Sequence, residues 1–441
     1  MAAATNRNES IRSRHAASIR PWTIWERIEM TSTATPPWLA LPSHCDWLDD
    51  QFRRLVRFMN GARLEAGGFG YLLEDGTSDL SRPRELYLTC RKTHVAALAH
   101  LRGIPGTGPL VDHGIEALLG IFHDKENDGW YSALSPTGGP IAGRKEAYAH
   151  AFVLLAGSSA TEAGRPGGRE LFERAQAVFL KHFWDEEAGM SRESFADDFS
   201  DSETYRGANS NMHLVEACLA AGDTSGDPVW YDRALSMANR LINGAAREHN
   251  WFLPEHFDPT WKPVPEYNTD DRAHPFRPYG STVGHWLEWS RLLLHVEASL
   301  AEPPAWLREA SIALFNHAIT YGWSVDGHDG FVYTTDFEGK VVTDARLHWA
   351  LCEGVAAAAL LGTVTGDPLY ERWYRKLWDH AAIHFVEPEH GTWKHQLAAD
   401  LSESGTVWPG RPDVYHVVNA LLLPQLPATP SAAPALARGF L

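Results

Sequence analysis

The chain has 441 residues, 44% of them hydrophobic, 18 Trp and a formal net charge of −17. Length alone would suggest about three domains, and the hydrophobic fraction is ample for a large core. The acid excess excludes nucleic acid and an anionic membrane surface as partners, because each wants a basic face.

Residues 1–35 are basic and Ser-rich without the apolar core of a signal peptide, which predicts a disordered N-terminal extension. Phe52, Leu55, Val56 and Met59 then fall at i, i+3, i+4 and i+7, the stripe of an amphipathic helix. The strip GGFGYL (67–72) is too short and Gly-rich for helix and reads as a loop or ribbon. A second helix near 84–101 carries HVAALAHL, apolar on nearly every side and therefore buried.

This unit recurs five more times. Amphipathic helices are expected at 110–123, 170–184, 229–243, 305–319 and 368–384. The strips DGWYSAL (128–134), GMSRESF (189–195), WFLPEHF (251–257), DGFVYTTDF (329–337) and GTWKHQL (391–397) follow them in turn. Buried helices are then expected near 145–156, 208–221, 282–295, 345–361 and 414–423. Gly226-Asp227-Pro228 and Gly366-Asp367-Pro368 are matching helix starts, Asp at the cap and Pro at the first turn, which also argues for an internal repeat.

No linker interrupts the pattern between Asp46 and Leu423, so one all-α domain is expected over 36–424, with 425–441 (ATPSAAPALA and its flanks) as a tail. A solenoid needs polar capping repeats, whereas both ends here keep the pattern, so closure into a toroid is expected.

Arg91, Tyr148, Asn209, His285, Trp349 and His416, one per buried helix, stand 57, 61, 76, 64 and 67 residues apart and form a ring at one mouth. Tyr87 and Arg91 are four apart, hence on one face, and offer a fixed cation to a developing oxyanion. Asn209 and His213 present an amide and an imidazole together. His285 and Glu288 are three apart, so the carboxylate is expected to orient the imidazole; Asp413 and His416 repeat that spacing. The fifth buried helix adds His348, Trp349 and Glu353. Most Trp residues are read as packing, with some left to face a sugar ring.

Neither HExxH, HxH nor a Cys/His cluster occurs, so no metal is expected. Cys45, Cys90, Cys218 and Cys352 lie far apart, which predicts free thiols and fits a reducing cytoplasm. Phosphate-cradling GxGxxG and GxxxxGK[ST] loops are absent, as is a GxSxG elbow, and no apolar run reaches the roughly 18 residues of a membrane helix.

TCRKTH (89–94), KEAYAHAFVLLAGSSA (145–160), YRGANSNMHLVEA (205–217), PYGSTVGHWLEWSRLL (279–294), RLHWALCEG (346–354) and VWPGRPDVYH (407–416) resemble, in order, the N-acylglucosamine 2-epimerase superfamily and especially its aldose–ketose isomerase branch. The resemblance implies an (α/α)6 barrel and a cofactor-independent sugar isomerase. His285 and His416 would be the acid/base pair, supported by Arg91 and Glu288. Tyr87, Tyr148, Asn209, His213, Trp349 and Glu353 would contact the sugar, with Phe276 and Gln396 added from neighbouring loops.

The expected chemistry is proton transfer between C2 and C1 of an aldose through a cis-enediol(ate), imidazole being a base matched to neutral pH. D-mannose to D-fructose is the first reading, since a neutral sugar needs no anion pocket. Sulfoquinovose is the second, with Arg91 or Arg411 meeting the sulfonate, and 2-epimerisation of an N-acylglucosamine or cellobiose the third. A glycoside hydrolase using Glu288 and Glu353 across the bond, and a non-catalytic sugar binder, are the readings from other classes.

Overall fold

The computed structural model describes residues 36–441; the extension expected at 1–35 lies outside the described residues. Six helix pairs follow one another along the chain. The outer members are α1 (Pro42–Met59), α3 (Gly108–Leu119), α5 (Gly168–Val178), α7 (Val229–Ala238), α9 (Trp306–Gly322) and α11 (Pro368–His380). The inner members are α2 (Leu86–Leu101), α4 (Ala147–Glu162), α6 (Ala208–Ser225), α8 (Val283–Ser299), α10 (His348–Thr365) and α12 (Tyr415–Leu422).

The amphipathic pattern decides which helix goes where. Outer helix α1 buries Leu48, Phe52, Leu55, Val56 and Met59 and leaves the Asp50–Arg54 ion pair in water. Inner helix α2 is buried continuously from Leu86 to Ala99, because it is covered on one side by the outer ring and on the others by its inner neighbours. Each inner helix packs on the next, and α12 packs back on α2, so the ring closes into an all-α (α/α)6 barrel. The second Gly-Asp-Pro start forms as read, with Asp367 at the cap and Pro368 first in α11; at the first, α7 begins one residue later, with Pro228 at the cap. Gly226 and Gly366 adopt φ of 75° and 69°, and Asp227 and Asp367 accept from the N–H of Val229 and Leu369 at 3.1 and 2.8 Å.

At the mouth where the inner helices begin, short antiparallel ribbons tie neighbouring repeats together. Residues 84–85 pair with 133–134, 144–146 with 194–196, 206–207 with 256–257, 281–282 with 334–335, and 346–347 with 396–397. The sixth joint is Arg411 N–H to the Leu72 carbonyl at 2.8 Å, linking the last repeat to the first.

A basic side chain locks most joints. Two residues before its inner helix, Lys145 donates to Asp124 at 2.7 Å and to the Asp128 carbonyl at 2.6 Å. Arg346 likewise grips Asp326 at 2.6 and 2.9 Å, and Arg84 the Ala66 and Gly67 carbonyls at 2.9 Å. In the fourth repeat this place belongs to Ser281, whose hydroxyl donates to the Leu253 carbonyl at 2.8 Å.

The stretch 425–441, expected as a tail, folds back across the far end of the barrel. Its helix α13 (Ala432–Ala437) buries Ala433, Ala435 and Leu436 against α2, α4 and α6. Ser431 N–H donates to Asp223 at 2.7 Å, and the ring Nδ1 of His295 bonds the Ala428 carbonyl at 2.7 Å. Its Ala, Pro and Leu residues cover apolar helix ends that water would otherwise meet. Among the described residues no helix is long and apolar enough to cross a membrane.

Candidate active site

The inner helices share one register, and that register builds the site. Their second residues are Tyr87, Tyr148, Asn209, Gly284, Trp349 and His416; their sixth, one turn deeper, are Arg91, Phe152, His213, Glu288, Glu353 and Ala420. Two stacked rings of side chains result, since residues four apart share a helix face. Gly284 leaves a gap in the upper ring, and the Trp349 indole fills it: a Cβ on Gly284 would lie 2.1 Å from that ring. His285, next along, then faces the same space.

A small, partly enclosed cavity lies inside these rings. Tyr87, Arg91, Tyr148, Asn209, His213, Phe276, His285, Glu288, Trp349 and His416, all expected at the site, line it. The indole of Trp349 stands between the two imidazoles, its centroid 5.4 Å from His285 and 5.8 Å from His416. Phe276 and Trp408 form a roof, rings edge to face at 5.2 Å. Phe276 also meets Tyr87 at 5.7 Å and Tyr148 at 5.4 Å.

The carboxylates that hold the imidazoles are not the expected ones. His285 Nδ1 lies 2.9 Å from both carboxylate oxygens of Glu255, on the strip before its helix, not on Glu288. His416 Nδ1 lies 2.9 Å from Glu353, not on Asp413. A carboxylate only accepts, so each Nδ1 carries a hydrogen and each Nε2 is left free toward the cavity. Helix geometry explains both corrections: at i, i+3 the two side chains lie side by side on one face, and each reaches across to a neighbouring element.

Glu288 instead faces His213 Nδ1 at 3.6 Å and Arg291 at 3.7 Å. Asp413 accepts from His348 Nε2 at 3.1 Å and from Arg91 at 3.5 Å. Glu353 sits beneath the cavity rather than on its wall, between His416 and the Arg291 guanidinium, whose Nε is 2.8 Å away. Gln396 is also off the wall: its amide accepts from the N–H groups of Val407 and Trp408 at 2.8 and 2.9 Å and shapes the loop that carries Trp408. Arg411 is spent on Glu387 at 2.7 Å and Glu403 at 2.5 Å and does not line the cavity.

Burial and the neighbouring Glu353 charge push the Glu288 carboxyl well above the ordinary carboxylate range, so it keeps its proton. Burial disfavours the charged form of Glu353 too, but Arg291 and His416 outweigh it and hold Glu353 ionised. Burial lowers His416, only partly offset by Asp413 and Glu353. Burial, reinforced by Arg91, keeps His213 neutral. Glu288, Glu353 and His416 offer ligand atoms within 4.8 Å of one another, as do His213, Glu216 and Glu288. The cation these carboxylates already face is Arg291, at 2.8 to 3.8 Å from Glu353, Glu288 and Glu216.

Several buried polar atoms on the wall have no protein partner: Arg91 Nε, Asn209 Oδ1, His213 Nδ1 and Glu288 Oε1. Donors and acceptors converge there on one small volume, which suits a polyhydroxylated ligand. A second cavity lies toward the far end, below Arg291, with a wall divided between Leu, Ala and Pro and polar or charged residues that include Glu216, Asp223, His94 and His295. It holds none of the mouth residues.

Sequence reasoning missed Glu255, and one signal could have found it. The strips GMSRESF and WFLPEHF share Glu-x-Phe, aligning Glu255 with Glu193 of the preceding repeat. Trp408 and Pro275 carry no comparable mark.

The model of the family described as N-acylglucosamine 2-epimerase (GlcNAc 2-epimerase) matches residues 67–420. A D-mannose isomerase of Thermobifida fusca is 53% identical over 401 residues, 91% of this chain and 98% of that protein. One of Pseudomonas cannabina pv. alisalensis is 46% identical over 404 residues, 91% and 97% of the two chains. A crystal structure of a D-mannose isomerase superposes with a TM-score of 0.81 at 26% identity, covering 86% of this chain and 97% of the other. With an (α/α)6 barrel, a cavity between paired imidazoles and a family match across most of its length, this chain belongs to the N-acylglucosamine 2-epimerase family.

Proposed function

We propose that this protein isomerises D-mannose to D-fructose. The observation that carries the reading is the imidazole pair, each ring held at Nδ1 by a buried carboxylate and open at Nε2 to one cavity. Two relatives at 53% and 46% identity named D-mannose isomerase support the substrate.

A pyranose must open before its C2 hydrogen becomes acidic, which requires proton movement at O1 and O5. One imidazole serves that step. The other takes the C2 proton; the electron pair forms C1=C2, and O1 becomes the oxyanion of a cis-enediolate. Arg91, hydrogen-bonded to Tyr148 at 3.0 Å, stabilises that charge, and the inner-helix N-termini add positive potential on the same side. The O2 proton then passes to O1 while the held proton is delivered to C1, giving the 2-ketose. Glu288, protonated, and Asn209 and His213 bind hydroxyls. Arg91 is the only arginine or lysine among the described residues lining the cavity, and it already faces Asp413, which favours a neutral sugar over a sulfonated one. Glu353 is enclosed beneath the cavity, so the expected Glu288–Glu353 pair does not flank a glycosidic bond there.

Incubation with D-mannose should yield D-fructose carrying solvent deuterium at C1 when run in D2O, with N-acetylmannosamine, cellobiose and sulfoquinovose turned over far more slowly. His285→Ala and His416→Ala should each lower kcat by about 10²–10⁴-fold. Near-full activity in either variant, or cellobiose as the best substrate, would refute the reading.

A further inference from the structure

The two carboxylates behind the imidazoles differ in their charge balance. Glu353 is shared, its Oε1 with His416 and its Oε2 with the Arg291 guanidinium at 2.8 Å. Glu255 has no arginine or lysine within salt-bridge distance among the described residues; its partners are His285, at 2.9 Å from either oxygen, and the Thr282 N–H at 3.2 Å.

Comparison between repeats shows what Glu255 is. In the third repeat, Glu193 occupies the same strip position: its backbone carbonyl accepts from Ala147, as that of Glu255 accepts from Ala208. The Glu193 carboxylate takes the Gly207 N–H at 3.1 Å and the Ser210 hydroxyl at 2.8 Å, closing the start of α6. Thr282 and His285 stand at the corresponding places on α8, one residue before the helix and third within it. The fourth repeat thus keeps a helix-closing carboxylate and puts an imidazole where its neighbour has a hydroxyl.

We infer that Glu255 is the positioning residue that makes His285, rather than His416, the base carrying hydrogen between C2 and C1. The inference rests on the isomerase reading above. As His285 Nε2 takes the C2 proton, the ring becomes an imidazolium against an anion that no guanidinium offsets. His416 would gain less, because Arg291 already meets the charge of Glu353, and Arg91 and His348 that of Asp413, and it is left to move protons at O1 and O5. The titratable and charged groups facing His285 are Glu255 and His256 from its strip, Glu288 one turn on, His213 from α6, and His416 and Arg91 across the cavity. Of these, Glu255 alone is hydrogen-bonded to the ring.

The test is Glu255→Gln, in which the amide oxygen still accepts from Nδ1–H but the charge is gone. The expected result is a kcat about 10–100-fold lower, KM for mannose within about threefold, and the acidic limb of the kcat/KM profile moved about one pH unit lower. Loss of C2–deuterium exchange should parallel the loss of kcat. Glu255→Asp, which keeps the charge, should return the limb toward its wild-type position and stands in should the amide variant fail to fold. Glu353→Gln should not slow C2 exchange to the same extent. An unmoved limb with near-wild-type kcat in Glu255→Gln, or equal slowing of exchange in both amide variants, would overturn the inference. Wild-type protein that turns over no aldose would instead sink the isomerase reading itself.

Discussion

Beside the site lies a basic group with no part in the proposed mechanism. Lys92 is fully enclosed, its ammonium donating to the Pro412 carbonyl at 2.8 Å. Burial pulls it down from 10.5 to about 7, Asp413 and Glu85 opposing only in part. The unfolded chain therefore binds a proton that the folded one does not between about pH 7 and 10.5, and this residue's contribution to stability rises with pH across that window. Lys92→Met should be the more stable protein near pH 7. Its advantage should shrink by up to about 1.4 kcal/mol per pH unit as pH rises. Denaturant unfolding of both proteins between pH 6 and 10 checks this, and parallel curves would contradict it.

Within the helices, the site depends on one missing side chain. Gly284 occupies the second place of α8, where other inner helices carry Tyr, Asn, Trp or His, and the Trp349 indole lies against its backbone. A methyl group there would meet three ring carbons at 2.1 to 2.9 Å, and an indole cannot bend away. Gly284→Ala should cost about 1–3 kcal/mol through overpacking. It should also lower kcat/KM by at least about tenfold, because Trp349 separates the two imidazoles and a misplacement of an ångström is costly to catalysis. Thermal unfolding and mannose kinetics read the two effects, and unchanged kinetics would remove Trp349 from the positioning role. The helices themselves were legible, since stripe and all-apolar patterns report outer and inner faces directly. The pairing of Glu255 with His285 was not, because it crosses 30 residues and two elements.

For the whole barrel, the far end matters as much as the mouth. Residues 425–441 lay Ala433, Pro434, Ala435 and Leu436 over the ends of α2, α4 and α6. Deleting residues 427–441 would expose that apolar surface and free Asp223 and His295 from their backbone partners. A fall in Tm of roughly 5 °C or more is expected, with KM for mannose little changed in protein that remains folded, since the mouth lies at the opposite end. An unaltered Tm would show the segment to be dispensable cover.

What the amino-acid sequence determined by itself is whatever depends on local periodicity and repeat: six helix pairs, their inner or outer place, their caps, and one mouth bearing His285, His416, Arg91 and Trp349. What only the tertiary structure decided is which charges meet. Glu288 and Asp413 stand three residues from His285 and His416, yet Glu255 and Glu353 hold those imidazoles. Gln396 shapes a loop and Arg411 locks a joint. The physical reason is that spacing along one helix sets which side chains share a face. A hydrogen bond needs two groups within about 3 Å, and for these groups that approach comes from closing the ring.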